Sequence, residues 1–275
     1  MIERMDIAVT RASNAHAGTL LRDWRMARRL SQLDLALNVG VSARHLSYLE
    51  TGKSQPSRDM LTRLADALDV PLRERNTMFV VAGFAPVYRE SALTTPEMAP
   101  VRQAIDFILR QQEPYPAFVM NRRWDVLLVN DAVKRVFDRV KPGGPKHGNL
   151  MRQVFDPSDM RAVVGNWEVV AGDLIRHLHN EVAAVPSDVQ LRALLDEVLA
   201  YPGVPAQWRT RELGAAPLPL LTTTLCGNGY EFRFLSTIST FGTTRDVTID
   251  ELRVECMFPV DAATVQLCGE LAARA

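Results

Sequence analysis

The 275-residue chain carries 32 basic and 32 acidic side chains, with 47% hydrophobic and 23% charged residues. That balance excludes wholesale disorder and low-complexity scaffolding, and the length accommodates one large domain or two ordinary ones. Zero net charge would argue against nucleic-acid binding only if it were even along the chain. It is not: residues 1–90 hold 13 basic and 10 acidic side chains, the remainder 19 and 22, and Gly18–Arg58 seven basic against three acidic.

From Gly18 to Gly83 apolar residues recur at helical spacing with frequent punctuation, which predicts five short helices. Leu20, Leu21, Trp24, Ala27 and Leu30 mark the first. Ser31 is a suitable N-cap for the second, which Gly40 closes, and Ser42 for the third, which ends near Gly52. Ser57 opens the fourth and Pro71 the fifth. Pro86, Pro96 and Pro100 then predict a break, so residues 84–115 read as a linker with a connecting helix over Val101–Gln112.

Residues 116–272 read as a mixed domain. Ala117–Asn121 and Trp124–Asn130 form a candidate hairpin, after which Asp131 caps a helix through Phe137 and Val140. Lys141–His147 is a Gly/Pro loop, and the pattern from Asn149 to Tyr201 is helical. Leu218–Cys226 and Tyr230–Phe241 flank Gly227-Asn228-Gly229, a strong hairpin signal. Val247–Val260 reads as one further strand, and Asp261 caps a terminal helix.

Cys226, Cys256 and Cys268 are odd in number and widely spaced, and with the histidines they form no metal-ligand spacing. Charges stand where a signal peptide needs an apolar run, and no stretch approaches the length of a membrane span, so no membrane partner and a cytoplasmic location are expected. There is no GxSxG, P-loop or GxGxxG signature; neither an enzymatic activity nor a cofactor is expected.

The pair of helices around Val39-Gly40-Val41-Ser42 has a helix-turn-helix layout. Its second helix is short and shows Arg44, Ser47 and Tyr48 on one face. Ser31-Gln32, Leu35-Ala36, Gly40-Val41-Ser42, Ser47, Leu49-Glu50, Gly52, Pro56 and Leu64-Ala65 together resemble the Xre/phage-repressor family of DNA-binding domains. The resemblance implies an all-α five-helix domain over residues 18–83 that binds a double-stranded DNA operator, commonly as a homodimer on two half-sites. By position it implies that Gln32 reaches a phosphate and braces the recognition helix. Ala43, Arg44 and Tyr48 would read bases, with Ser42, His45 and Ser47 alongside and Lys53 and Arg58 holding phosphates. Glu50 takes a structural role. Arg25, Arg28 and Arg29 read either as a solvated face or as phosphate contacts.

Arg122–Phe137 (RRWDVLLVNDAVKRVF), Asn149–Phe155 and the helix around Asn166-Trp167 resemble the ligand-binding domain of MmyB-like transcription regulators. This implies an α+β, PAS-like sensor domain with an antiparallel sheet and a cavity for a small hydrophobic, fatty-acid-like ligand. Tyr115, Phe118, Trp124, Phe137, Trp167, Phe232 and Phe234 are the candidate lining, although any single one of them reads better as an ordinary core aromatic. Three alternatives stay open at this point. The second domain could be a haem or flavin redox sensor, an enzyme tethered to DNA, or a module that only dimerises.

Overall fold

The computed structural model describes residues 16–210, 220–242 and 244–274. Contacts divide the chain into two units, one of residues 16–90 with 183–187 and 245–250, the other of the rest. No helix among the described residues is long and apolar enough to cross a membrane.

The first unit is built of α1 (Ala17–Ala27), α2 (Gln32–Val39), α3 (Ala43–Glu50), α4 (Arg58–Ala67) and α5 (Leu72–Val81). Three of these helices, α2, α3 and α4, begin where a serine side chain caps them. Ser31 and Asp34 form a reciprocal capping box at α2, and Gly40 ends that helix in the left-handed conformation. Ser42 and Ser57 each accept a backbone N–H three residues on. The apolar stripes meet in one core, in which Leu21, Leu35, Leu46, Leu49, Leu64 and Leu68 are fully buried.

Gly18 lets α1 approach α3 closely. A Cβ at this position would stand 1.9 Å from the Leu49 carbonyl oxygen, which is backbone and cannot yield cheaply. Gly18→Ala is therefore expected to lower the stability of this unit by about 1–3 kcal/mol. Gly269→Ala, in an exposed helical position with nothing within 4 Å, is expected to add about 0.5–1 kcal/mol. Thermal unfolding of the two variants side by side checks the contrast; equal effects would remove the close-approach argument.

The second unit holds a five-stranded, wholly antiparallel sheet in the order β2-β1-β5-β4-β3. Its strands are β1 (Ala117–Met120), β2 (Val126–Val129), β3 (Thr222–Gly227), β4 (Tyr230–Thr240) and β5 (Arg253–Pro259). The expected hairpins form. Asn228 and Gly229 both have positive φ and join β3 to β4 through a two-residue turn, the geometry that matches strand twist.

The helices of this unit are α6 (Ala99–Gln111), α7 (Asp131–Val140), α8 (Leu150–Phe155), α9 (Trp167–Ala184) and α10 (Val189–Ala200). After β4 come α11 (Val247–Glu251), all but the last residue of which belongs to the first unit, and α12 (Ala262–Ala273) of the second. Alternation along the strands sends Ala117, Val119 and Val254 to one sheet face, where Ile105 and Leu109 of α6 cover them. The opposite face carries Phe118, Met120, Phe232, Phe234 and Met257 into the larger core with α7–α10 and α12.

Three local expectations need correction. The cap of α7 is Asn130 rather than Asp131: its Oδ1 accepts the Val133 and Ala117 N–H groups while its Nδ2 donates to the Tyr115 carbonyl. Val247–Val260 is not one strand. Asp246 accepts the Thr248 N–H and starts the helical turn α11, so pairing begins only at Arg253. The Leu218–Cys226 run pairs from Thr222; its first two residues lie outside the described residues. The Gly/Pro loop Lys141–His147 is tied down by Asp159, fully buried, which accepts the Lys146 and His147 N–H groups and pairs with Lys141 at 2.7 Å.

Candidate functional sites: a helix-turn-helix and a cavity beside the sheet

In the first unit, α2, the turn at Gly40-Val41 and α3 make the helix-turn-helix. The orientation of α3 is held from inside by Glu50, which is 4% exposed. Arg25 of α1 donates to both Glu50 oxygens, at 2.6 and 2.9 Å, and Gln32 of α2 donates to Oε2 at 2.8 Å. One carboxylate thus joins three helices. Burial pushes its pKa up, but the hydrogen bonds from Arg25 and Gln32 and the Arg25 charge outweigh that and hold it below the ordinary value. Gln32, expected to reach a phosphate and brace the recognition helix, has its amide committed to the bracing. The sequence left Arg25 between surface and phosphate contact; the structure gives it to Glu50. Arg28 is likewise internal, donating to the Leu68 and Asp69 carbonyls and lying over Trp24.

The outer face of α3 presents the exposed Arg44 beside the half-buried Ala43, His45, Ser47 and Tyr48. Arg44 Nε donates to the Tyr48 hydroxyl at 3.0 Å, its guanidinium lies 5.4 Å from that ring's centre, and Lys53 Nζ lies 5.8 Å from the same centre. Two cations are therefore gathered on one aromatic ring. Ser42 is the helix cap, and its hydroxyl accepts the His45 N–H. Arg58 donates to the Ala85 carbonyl at 3.1 Å and lies over Phe79, so part of its donor set is already used within the unit.

In the second unit a cavity of about 420 Å³ lies between the sheet and the helices. Phe118, Trp124 and Phe137, three of the seven candidate aromatics, are on its wall. Trp124 adopts positive φ and is locked in place: its indole N–H donates to Glu181 at 2.8 Å, and Arg253, paired with Glu181, lies over the ring.

The other four aromatics are not on the wall. Trp167 packs against Trp208 and Phe155 while its N–H donates to the Val154 carbonyl at 2.8 Å. Phe232 and Phe234 share the cavity's sheet face but sit farther along β4, stacked with Tyr230 and fully buried. Tyr115 packs at the edge of the same core. Sequence reasoning missed the aliphatic wall (Leu150, Met160, Leu174, Leu225 and Met257 among it) and its polar members Gln153, Asp173, His177, Ser236 and Glu255. Alternation along β5 does put Glu255 and Met257 on one face, but it cannot show that this face looks into a cavity.

Comparison with known families is decisive here. The family model described as the MmyB-like transcription regulator ligand binding domain matches residues 101–271, well over half of the chain. The chain belongs to the MmyB-like transcription regulators. A helix-turn-helix family model matches residues 21–75 of the same chain. This MmyB-like regulator thus joins a Xre-like DNA-binding domain to a ligand-binding domain, which makes it a DNA-binding transcription regulator with a ligand-sensing domain. A search of curated proteins returned no match. Among solved structures, an RNA-binding Light-Oxygen-Voltage receptor aligns over 98% of this chain and 67% of its own. The identity is 13% and the TM-score 0.25, a likeness too slight to bear on fold or function.

Proposed function

We propose that this MmyB-like regulator binds a palindromic operator as a homodimer in the cytoplasm, through a reader domain of residues 18–83. Residues 84–115 connect it to a sensor domain, residues 116–272, that takes up a small apolar effector. On this reading Arg44 contacts guanine O6 and N7, and Ala43, His45, Ser47 and Tyr48 complete the base-facing surface. Ser42, Lys53 and Arg58 meet phosphates, while Gln32 acts through Glu50. The observation that carries the reading is the presentation of Arg44 and Lys53 on the Tyr48 ring, on a capped helix braced by Arg25, Gln32 and Glu50. Basic groups already ordered at a helix face lose less entropy on docking than freely rotating ones.

The experiment is operator selection from a random DNA pool, followed by titration of variants against the selected site and a scrambled one. Arg44→Ala is expected to lose about 1–3 kcal/mol of discrimination. Lys53→Ala is expected to weaken both complexes alike and to reduce the salt slope by about one. An Arg44→Ala protein that keeps its full preference would remove the base-reading assignment. For the sensor domain, the cavity of about 420 Å³ falls within the usual range for small-molecule sites, about 300–1,000 Å³. An effector alters operator affinity only if it binds one arrangement of the domains better than another.

A further inference from the structure

The helix-turn-helix unit holds a loop that is remote from it in sequence. Residues 183–187, the last two of α9 and the three that follow, belong to the first unit. Val185 is 5% exposed in the core that also holds Leu46 and Leu49 of α3, and Ala184 packs against that core. Arg28 of α1 donates to the Ala184 carbonyl at 3.5 Å, as well as to those of Leu68 and Asp69. A close-packed core transmits a displacement of any one member to the others. The position of this loop therefore bears on the seating of α3.

The residues that flank the loop are both held by the turn between β1 and β2. Before it, Glu181 of α9 accepts the Trp124 indole N–H at 2.8 Å and pairs with Arg253, whose guanidinium lies 5.7 Å from the centre of the Trp124 ring. After it, one Asp188 oxygen lies 3.4 Å from Arg122 and 3.7 Å from Arg123. The other caps α10 by accepting the Gln190 and Leu191 N–H groups. Arg122 also stands 3.8 Å from Glu251. Trp124 is on the cavity wall, and its carbonyl accepts the N–H of Leu150, another wall residue. Three consecutive residues, 122–124, thus hold both flanks of the loop, and one of them faces the cavity.

We propose that the β1–β2 turn is the relay through which a guest alters operator binding: Trp124 answers to occupancy of the cavity, and Glu181 and Asp188 carry its displacement into the 183–187 loop. This rests on the reading that the cavity takes up an apolar effector. The geometry of α9 suits the role. Its 18 residues make about 27 Å of continuous helix. Val170, Asp173, Leu174 and His177 line the cavity from its first part, and its last two residues belong to the first unit. Trp124 has a φ of 66°, a strained conformation for a bulky residue. Strain of this kind supplies the two-state element that coupling between sites requires. A guest that binds one state of the turn better than the other then shifts the loop, and with it the core beneath α3.

The test measures operator affinity of the full chain with and without decanoate or decanol, each below its aggregation concentration, while calorimetry gives the affinity for the probe itself. A bound probe is expected to change operator affinity at least about fivefold, and operator DNA to change probe affinity by the same factor. Glu181 is not on the cavity wall. In Glu181→Ala, probe affinity and probe-free operator affinity should stay as in the parent while the shift falls to within about twofold. Glu181→Gln keeps an oxygen for the indole N–H and should restore most of the shift. Hydrogen exchange in the parent protein gives a readout that does not depend on the folding of any variant: amide protection over residues 181–188 should change when a probe binds. A full shift in Glu181→Ala, or exchange over 181–188 unmoved by a bound probe, overturns the relay. Probe binding with no effect on operator affinity overturns this inference alone. Failure of both probes to bind overturns it together with the reading on which it rests.

Discussion

Replacing Glu50 by alanine is expected to destabilise the helix-turn-helix unit by about 3–5 kcal/mol, the cost of breaking a buried pair from one side. The side chains of Arg25 and Glu50 are 12% and 1% exposed. Removal of the carboxylate leaves a guanidinium largely out of water and strands the Gln32 amide that donated to it. Replacing both ends of the pair, Arg25→Met with Glu50→Leu, is expected to cost far less than Glu50→Ala, because no charge is then left uncompensated. Denaturant unfolding of the single and double variants separates the two; a single variant within about 1 kcal/mol of the parent would overturn the account.

The pair also sets a pH dependence. The folded carboxyl titrates below the ordinary value of 4.5, so its contribution to stability is complete above that value. It is lost as pH falls through the lower folded pKa. Operator affinity should follow, since α3 takes its orientation from this contact. The DNA defect of Glu50→Ala should therefore be partly restored by raising protein stability, whereas that of Arg44→Ala should not.

The second large effect is expected at Phe232. It is fully buried on β4, its ring 6.4 Å from Tyr230 and 6.3 Å from Phe234 in a nearly parallel stack. Phe232→Ala removes the middle of that stack and opens a void in the core shared with Val136, Cys268 and Leu271. The loss should be about 3–5 kcal/mol, read from the unfolding of the sensor domain. Phe137, on the cavity wall and only half-buried, should cost less when truncated and should act mainly on ligand affinity. Equal losses at the two positions would mean that the wall and the core are not distinct.

The contrast between these residues shows how far the chain could be read in one dimension. The seven candidate aromatics were chosen for size and apolar character, properties shared by core and cavity wall alike. Trp167 satisfies its N–H on Val154 and packs on Trp208; neither partner is near it in sequence, and nothing local separates it from Trp124. The same holds for charge. Arg25 and Arg28 look like a solvated face because their partners, Glu50 and the Leu68 and Asp69 carbonyls, stand 25 to 41 residues away. The strand reading of Val247–Val260 failed for a different reason. An Asp246 cap competes locally with the alternation that follows it, and helix wins over the first five residues.

By itself the sequence determined the features that rest on neighbours a few residues apart. These are the five helices, three of them with serine caps, the turn at Gly40, the Asn228-Gly229 hairpin and the division between a basic reader and a mixed α+β domain. Short-range hydrogen bonds and the periods of helix and strand act within one turn or one hairpin, so they are written into the order of residues. Tertiary structure alone decided that Glu50 would receive Arg25 and Gln32, that α6 would cover one sheet face, and that the other face would leave a chamber with Glu255 in its wall. Alternation assigns a side chain to a face, but what covers that face, and whether a charge there finds a partner, depends on elements that only folding brings together.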